Sequence, residues 1–500
     1  MVNLGRPSRG CDVCRKRRIK CDEALPSCSY CVKRQLICPG YKSQFDVAWR
    51  DQNLVAERSV QRRTKASENV IHKQLVLRQL SRSPSPTVYG GLTEDRLDYA
   101  VNFFLSSYIV LPEQTEMQRG FLDCLYPIWT EAPHTSPVKI AVASVACYLL
   151  EAWSLLNPVG SSMSTSLYLK GVAALRQSIE STGQVQADVL MAALMLQMYE
   201  NLRAFSTSQF SGDVHVSGAT ALVRQQKQPF TDETSQRLLL GIRNQIVGRA
   251  VRTSTAIPPA VAMWGHWTRG VRKKASHKLD EINMDVADFQ ALVSGLGSNT
   301  SNGAGLVSSL LDQAEQLNQR LLAWLTTIPP SWIPVRLSGL ECIPQTVCDA
   351  GMYQDYCDIY PNVFVADQIN SQRCSRIRIH LGILACLQYS ENAGRESTST
   401  KSFSIIQELA DEICACVPHY LGDRVGFTRL DDRTVKYPYI AAGTVPFNHH
   451  TEAAAFAGFF LTGRLSELLS PKLSLREGQY QWIIEQMLRI KSLFVRVSHV

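Results

Sequence analysis

Six of the fifteen cysteines in this 500-residue chain, Cys11, Cys14, Cys21, Cys28, Cys31 and Cys38, fall together near its start. Their spacing reads C-x2-C-x6-C, six further residues, then C-x2-C-x6-C again, so one short unit is used twice. A C-x2-C pair puts two sulfurs on one helical turn, close enough to grip a single soft tetrahedral ion, and an all-thiolate set favours zinc over magnesium or calcium. No histidine occurs in residues 1–71. Two tetrahedral ions need about eight ligand positions, so either two of the six sulfurs bridge or only one ion binds. Two competing uses of these residues fit less well. Three disulfides would require an oxidising compartment and a secretion signal. A four-thiolate ribbon would leave Cys21 and Cys38 symmetrically placed without a role.

Between the second and third cysteines runs Arg15-Lys16-Arg17-Arg18-Ile19-Lys20, and Pro26 lies in the connecting loop. With these residues the segment resembles the fungal binuclear zinc cluster (Zn2Cys6) DNA-binding domain. The resemblance implies two zinc ions per chain, with Cys11 and Cys28 bridging them, Cys14 and Cys21 completing one site and Cys31 and Cys38 the other. It also implies that each C-x2-C pair starts a short helix. The first helix has Arg15, Lys16, Arg17, Arg18 and Lys20 about it and the second only Lys33 and Arg34, so the first is expected to meet DNA. In the family, a Lys or Arg near the end of that helix contacts the guanines of a CGG triplet, and the matching residue here is Arg18 in place of the commoner lysine. An arginine fork suits O6 and N7 of one guanine. Arg15, Arg17 and Lys20 are expected to clamp phosphates, and the same basic run suits a nuclear import signal.

Charge is distributed along the chain in the same sense. Residues 1–40 carry a formal +6, residues 41–93 +5, and the remaining residues −3. A basic head on a slightly acidic body points to a polyanionic partner at one end. Six thiolates and two zinc ions would lower the head from +6 to +4. Three stretches are therefore expected: a zinc cluster over 8–40, a basic and largely disordered linker over 41–93 ending in Ser-Pro repeats, and a helical domain over 94–500. Within the linker, Val70, Ile71, Leu75, Leu77 and Leu80 do not sustain a heptad repeat, which leaves monomer and homodimer both open. The longest apolar run, Ile140 to Leu150, is too short for a bilayer crossing, and the first residues lack the apolar core of a signal peptide. The protein is expected inside the cell, in the nucleus, without a membrane partner.

From Leu92 onward helical periodicity dominates, and the expected class is all-α, built of antiparallel helix pairs. Thr93 is placed as a cap before Leu97, Val101, Phe104, Leu105 and Tyr108, and Ser136-Pro137 opens a helix running to about Leu156. Further helices are expected near 164–181, 186–206, 231–252, 305–327, 365–390, 402–417, 450–469 and 477–497. Gly295 to Gly305 is expected to be a mobile loop. Short apolar matches around Leu105 to Pro112, Ser136 to Ala146 and Leu409 to Pro418 resemble the fungal-specific transcription factor domain.

Catalytic signatures are missing from this region: it holds no G-x-S-x-G, H-E-x-x-H, Walker A or complete G-x-G-x-x-G motif. His449-His450-Thr451-Glu452 reads as a polar turn at a helix start, and Cys414, Cys416, Trp324, Trp332, Met191, Met195 and Met198 as core. Taken with the resemblance, the chain is expected to be a non-enzymatic, zinc-dependent regulator of RNA polymerase II transcription in a fungal nucleus. Its partners would be double-stranded DNA with CGG-type half-sites and the transcription machinery. Its targets would be a secondary-metabolite or nutrient-use gene set. The alternative is a helical enzyme or ligand sensor with an appended zinc module.

Overall fold

The computed structural model describes residues 10–40, 96–109, 120–153, 163–182, 185–207, 212–226, 229–268, 271, 273–296, 303–339, 341–389, 394–430, 432–439 and 448–494. The chain divides into two compact units, Met1–Leu92 and Thr93–Val500. The expected linker, with Val70 to Leu80 and the Ser-Pro repeats, and the Thr93 cap lie outside the described residues.

The described part of the first unit, residues 10–40, is the head, and it has two one-turn helices, α1 (Asp12–Lys16) and α2 (Ser29–Lys33). Its interior is made of sulfur: Cys11, Cys14, Cys28 and Cys31 are buried, with Cys21, Cys38, Val13, Tyr30 and Leu36 packed around them. So few apolar residues cannot offset the entropy of ordering the chain, and a domain of this size depends on a metal.

The helical body begins with α3 (Arg96–Tyr108), α4 (Leu125–Glu131), α5 (Pro137–Trp153), α6 (Met163–Thr182), α7 (Ala187–Thr207) and α8 (Val214–Gln225). Helix α5 starts where the Ser136-Pro137 signal placed it: Ser136 Oγ accepts from Val138 N at 3.4 Å and donates to Asp188 Oδ2 at 2.6 Å. It packs on α3, α6 and α7. Every residue of α7 from Val189 to Gln197 is buried, Met191 and Met195 among them.

The chain continues through α9 (Glu233–Thr253), capped by Asp232 accepting from Ser235 N at 2.7 Å, then α10 (Pro259–Trp267), α11 (Ala275–Ser294) and α12 (Gly303–Thr327). A two-stranded antiparallel hairpin follows, β1 (Val335–Ser338) paired with β2 (Tyr356–Ile359), with α13 (Gln345–Asp349) between the strands. The last helices are α14 (Val363–Leu387), α15 (Arg395–Ala415), α16 (Val417–Leu421), α17 (His449–Leu468) and α18 (Gln479–Phe494).

Helix α14 is the axis of the body, packed against α11, α12, α15 and α17. Asn362 caps it, accepting from Phe364 N at 3.1 Å and Val365 N at 2.9 Å. Buried residues occupy its whole circumference, the pattern of an interior helix. Polar side chains along it reach several neighbouring elements. Gln372 donates to Leu321 O at 3.1 Å, Ser375 to Asn283 Oδ1 at 2.7 Å, and Arg376 to Asn318 Oδ1 at 3.0 Å. Arg373 joins Glu412 at 2.8 Å and Asp358 at 3.6 Å and donates to Tyr360 Oη at 2.6 Å. Arg336 holds Asp358 from across the hairpin at 2.8 and 3.0 Å.

The all-α class holds, and the long periodic helices lie where expected to within a few residues. Four corrections follow. The hairpin was not expected, because strands of four residues are too short to show alternation. The helix expected over 402–417 starts at Arg395, its first turns being polar. The loop expected over 295–305 is shorter: α12 starts at Gly303, while 297–302 lie outside the described residues. Helices α4, α8, α10, α11, α13 and α16 were not expected; the longest of them, α11, has a buried face that includes His277, Asp280 and Asn283 and so resembles a surface.

Two expectations follow for stability. A methyl group at Gly382 would sit 2.5 Å from Phe289 Cε1, so Gly382→Ala should cost about 1 to 3 kcal/mol by overpacking, read as a lower urea midpoint. Burial lowers His277 to about 3 and His380 and His449 to about 4, and holds His419 well below its ordinary range. Unfolded, these titrate near 6.5, so between pH 6.5 and 4 the unfolded chain binds more protons and stability falls with pH. The slope is about 1.4 kcal/mol per pH unit for each histidine. Burial raises Asp280 to about 6, which opposes one of them between about pH 4 and 6. A urea midpoint followed by tryptophan emission should drop from pH 6.5 to 5, and a flat profile would refute the neutral, buried state of these rings. Residues 1–48 contain no tryptophan, so this signal comes from outside the head.

Candidate metal centre and nucleic-acid interface

The two halves of the head are copies at the level of the backbone. Helix α1 spans 12–16 and α2 spans 29–33, the same offset that separates Cys11 from Cys28. Each helix closes with the same bond: Ile19 N donates to Cys14 O at 3.0 Å, and Leu36 N to Cys31 O at 2.9 Å. The residue before each closing donor is left-handed, Arg18 at φ 57° and Gln35 at φ 55°. This is a Schellman-type helix end, built here without glycine. A second pair of matched positions is also left-handed, Glu23 at φ 55° and Gly40 at φ 77°. One feature has no twin: Asp22 accepts the Ser29 N–H through both carboxylate oxygens, at 3.1 and 3.3 Å, and so caps α2. Hydrogen bonding to Ser29, its side chain first, holds the Asp22 carboxyl below its usual range. Cysteine spacing does not reveal this cap; its only sequence signal is a carboxylate directly after Cys21.

These local structures aim all six sulfurs inward. Cys11 and Cys28 Sγ lie 3.7 Å apart, Cys14 and Cys28 3.7 Å, and Cys11 and Cys31 3.8 Å. A tetrahedron of sulfurs at about 2.3 Å from zinc has edges of about 3.8 Å. Two foursomes meet the requirement that every sulfur lie within 4.8 Å of the others: Cys11, Cys14, Cys21, Cys28 and Cys11, Cys28, Cys31, Cys38. They share Cys11 and Cys28. Burial pushes the Cys14 thiol well above its usual range and Cys31 to about 12, while a backbone hydrogen bond from Cys28 draws Cys38 down to about 7. A soft divalent cation between such sulfurs removes the penalty of charging them together, so the donor set fits zinc.

Lys16, Arg17, Arg18 and Lys20 are all exposed, and Arg15 lies on α1 with its side chain outside the described part. Lys33 and Arg34 are exposed in the second half. The linker cations Arg62, Arg63 and Lys65 lie outside the described residues.

Residues 9–46 match the family described as the fungal Zn(2)-Cys(6) binuclear cluster domain. They are a fungal binuclear zinc cluster. The cluster holds two zinc ions, and its family is one of non-enzymatic, DNA-binding regulators. Among curated proteins, the transcription factor dbaG of Emericella nidulans is 22% identical over 348 residues, 69% of this chain and 78% of that protein. An alignment of that length necessarily takes in much of the helical body. An uncharacterized transcriptional regulatory protein of Schizosaccharomyces pombe is 56% identical over 36 residues, only 7% of each chain. No solved structure matches the chain.

In the helical body, the other candidate residues are interior. Cys414 and Cys416 are fully buried, and Trp324 and Trp332 pack edge to face at 6.5 Å. His449 and Glu452 stand at a helix start, as expected, and are buried there in the first turn of α17. His449 Nε2 donates to His419 O at 2.8 Å, with the two rings 4.5 Å apart. Among the described residues, the six head cysteines alone gather as metal-binding groups.

The shared sulfurs predict unequal mutants. Elemental analysis of the full chain should give two zinc ions, Cys28→Ser should lose both, and Cys38→Ser should mainly loosen one. Equal loss from the two changes would refute the sharing.

Proposed function

We propose that this chain is a zinc-dependent, sequence-specific transcription factor for RNA polymerase II genes, acting in the nucleus and reading CGG-type triplets in the major groove. In this reading Cys11 and Cys28 bridge the two ions, Cys14 and Cys21 complete one site, and Cys31 and Cys38 complete the other. The observation that carries it is the placement of Arg18: an exposed arginine at the left-handed position that ends α1, inside the basic run of a zinc-bound helix. The rigid sulfur core supplies the pre-organisation that base reading requires, since a fork that contacts O6 and N7 together must be held within a narrow geometry. Arg15, Arg17 and Lys20 then set the pose on phosphates. Exposed charges there attract DNA at long range and make affinity salt-dependent.

Two further parts of the reading have their own support. The length of the alignment with dbaG favours taking the helical body as a fungal-specific transcription factor domain. A secondary-metabolite or nutrient-use gene set remains the kind of target that such a regulator would serve.

The left-handed φ at position 18 dictates the test. Arginine and alanine both carry a Cβ at φ 57°, so alanine would keep the strain that Arg18 already bears, whereas glycine removes the fork and accepts that conformation without steric cost. Arg18→Gly should therefore keep both zinc ions, lose about 1 to 3 kcal/mol on a CGG duplex, and lose much less on scrambled DNA. Lys20→Gln should weaken both duplexes alike and make the salt slope shallower by about 0.9. Titrations at several salt concentrations distinguish the two patterns. An Arg18→Gly protein that still prefers CGG as strongly as wild type would overturn the assignment.

A further inference from the structure

The repeat in the head pairs every residue of the first half with one in the second. Lys16 pairs with Lys33 and Arg17 with Arg34, so those charges are kept. Arg15, Arg18 and Lys20, by contrast, pair with Val32, Gln35 and Ile37. Matching helix spans, closing bonds and left-handed residues put these partners on equivalent backbone. The second half thus carries, at the positions the first half is read to turn toward DNA, a surface from which charge has been removed and replaced by aliphatic groups. Val32 is 61% exposed and Ile37 is 93% exposed. Side chains left this open add almost nothing to the packing of the head and are accessible to a partner.

The surroundings specify what could cover this surface. Lys33, Arg34 and Gln35, exposed as well, lie between the two aliphatic residues in the sequence, and no Asp or Glu occurs from Ala24 to Gly40. A DNA backbone would answer the two cations but would leave Val32 and Ile37 against charged phosphate. A peptide with acidic residues among large apolar ones answers both features.

We infer that the face built from Val32, Lys33, Arg34 and Ile37 docks an acidic, apolar-bearing segment of a partner protein. The Asp and Glu of that segment meet Lys33 and Arg34, and its Leu or Phe side chains cover Val32 and Ile37. Because these residues belong to the second half and the proposed DNA contacts to the first, the partner and DNA use different side chains and can be held together. Only this last point rests on the DNA reading proposed above.

The test uses the full zinc-loaded chain and a labelled synthetic peptide in which Glu and Asp alternate with Leu and Phe at helical spacing. A control peptide has the same charges with Ser in place of Leu and Phe. Fluorescence anisotropy is measured on the free protein and on the protein bound to a CGG duplex. The acidic-apolar peptide should bind both, should bind Val32→Ser/Ile37→Ser about tenfold more weakly at unchanged zinc content and DNA affinity, and should outcompete the Ser control. Lys33→Glu/Arg34→Glu should weaken it as well. Equal binding to wild type and Val32→Ser/Ile37→Ser, no binding to wild type, or displacement of the peptide by the duplex would overturn the proposal. Loss of CGG preference in Arg18→Gly is measured separately, so failure of the DNA reading is seen independently of the peptide result.

Discussion

Cys11 and Cys28 each belong to both sulfur foursomes of the head, and the rest of that domain depends on the sharing. Six thiols can satisfy two tetrahedral ions only if two of them serve twice. Sharing also forces the two halves into one compact object with a common centre and leaves no room for an apolar core between them. The repeated backbone, with its matched helix ends and left-handed residues, is what a shared centre demands of two short segments that must approach it in the same way. Asp22, which caps α2, is a departure from that symmetry.

A symmetric scaffold carrying asymmetric side chains accounts for how one small domain has two faces. The cations common to both halves, Lys16 with Lys33 and Arg17 with Arg34, offset the formal −2 of six thiolates and two zinc ions wherever they sit. The residues that differ between halves are free of that duty. In the proposed reading, arginine and lysine in one half create a field for phosphate and a fork for guanine, while aliphatic residues in the other offer area to a protein. Functional difference lies in the side chains because the metal centre holds the backbone of both halves to one form.

The helical body is organised by a different constraint. An interior helix such as α14 can slide or rotate among its neighbours if its surface is uniformly apolar. Its buried polar groups prevent this, because each is satisfied at one register only: Gln372 at Leu321 O, Ser375 at Asn283, Arg373 between Asp358 and Glu412. Leaving any of them unpaired in the interior costs more than the bond itself contributes. That seam ties α11, α12, α15 and the hairpin to one axis.

The head was legible in the sequence because its chemistry is local. Ligands that share an ion must lie close along the chain when the domain is this short, so the spacing from Cys11 to Cys38 and the basic run between Cys14 and Cys21 carry nearly all the information. The long helices were legible for a similar reason, since a period of 3.6 residues is visible wherever one face is apolar. Other features were decided by contacts between distant residues. The burial of His449 against His419, the polar buried face of α11, the four-residue strands around Arg336 and Asp358, and the choice of α14 as the axis have no short-range signal. Polar residues such as His277, Asn283 and Asp358 read as surface until a partner far along the chain satisfies them, and only the folded packing supplies that partner. The exposure of Val32 and Ile37 belongs to the same class: their apolar character is plain in the sequence, but only the tertiary structure, with the sulfur core already filled by Cys11, Cys14, Cys28 and Cys31, leaves them facing solvent.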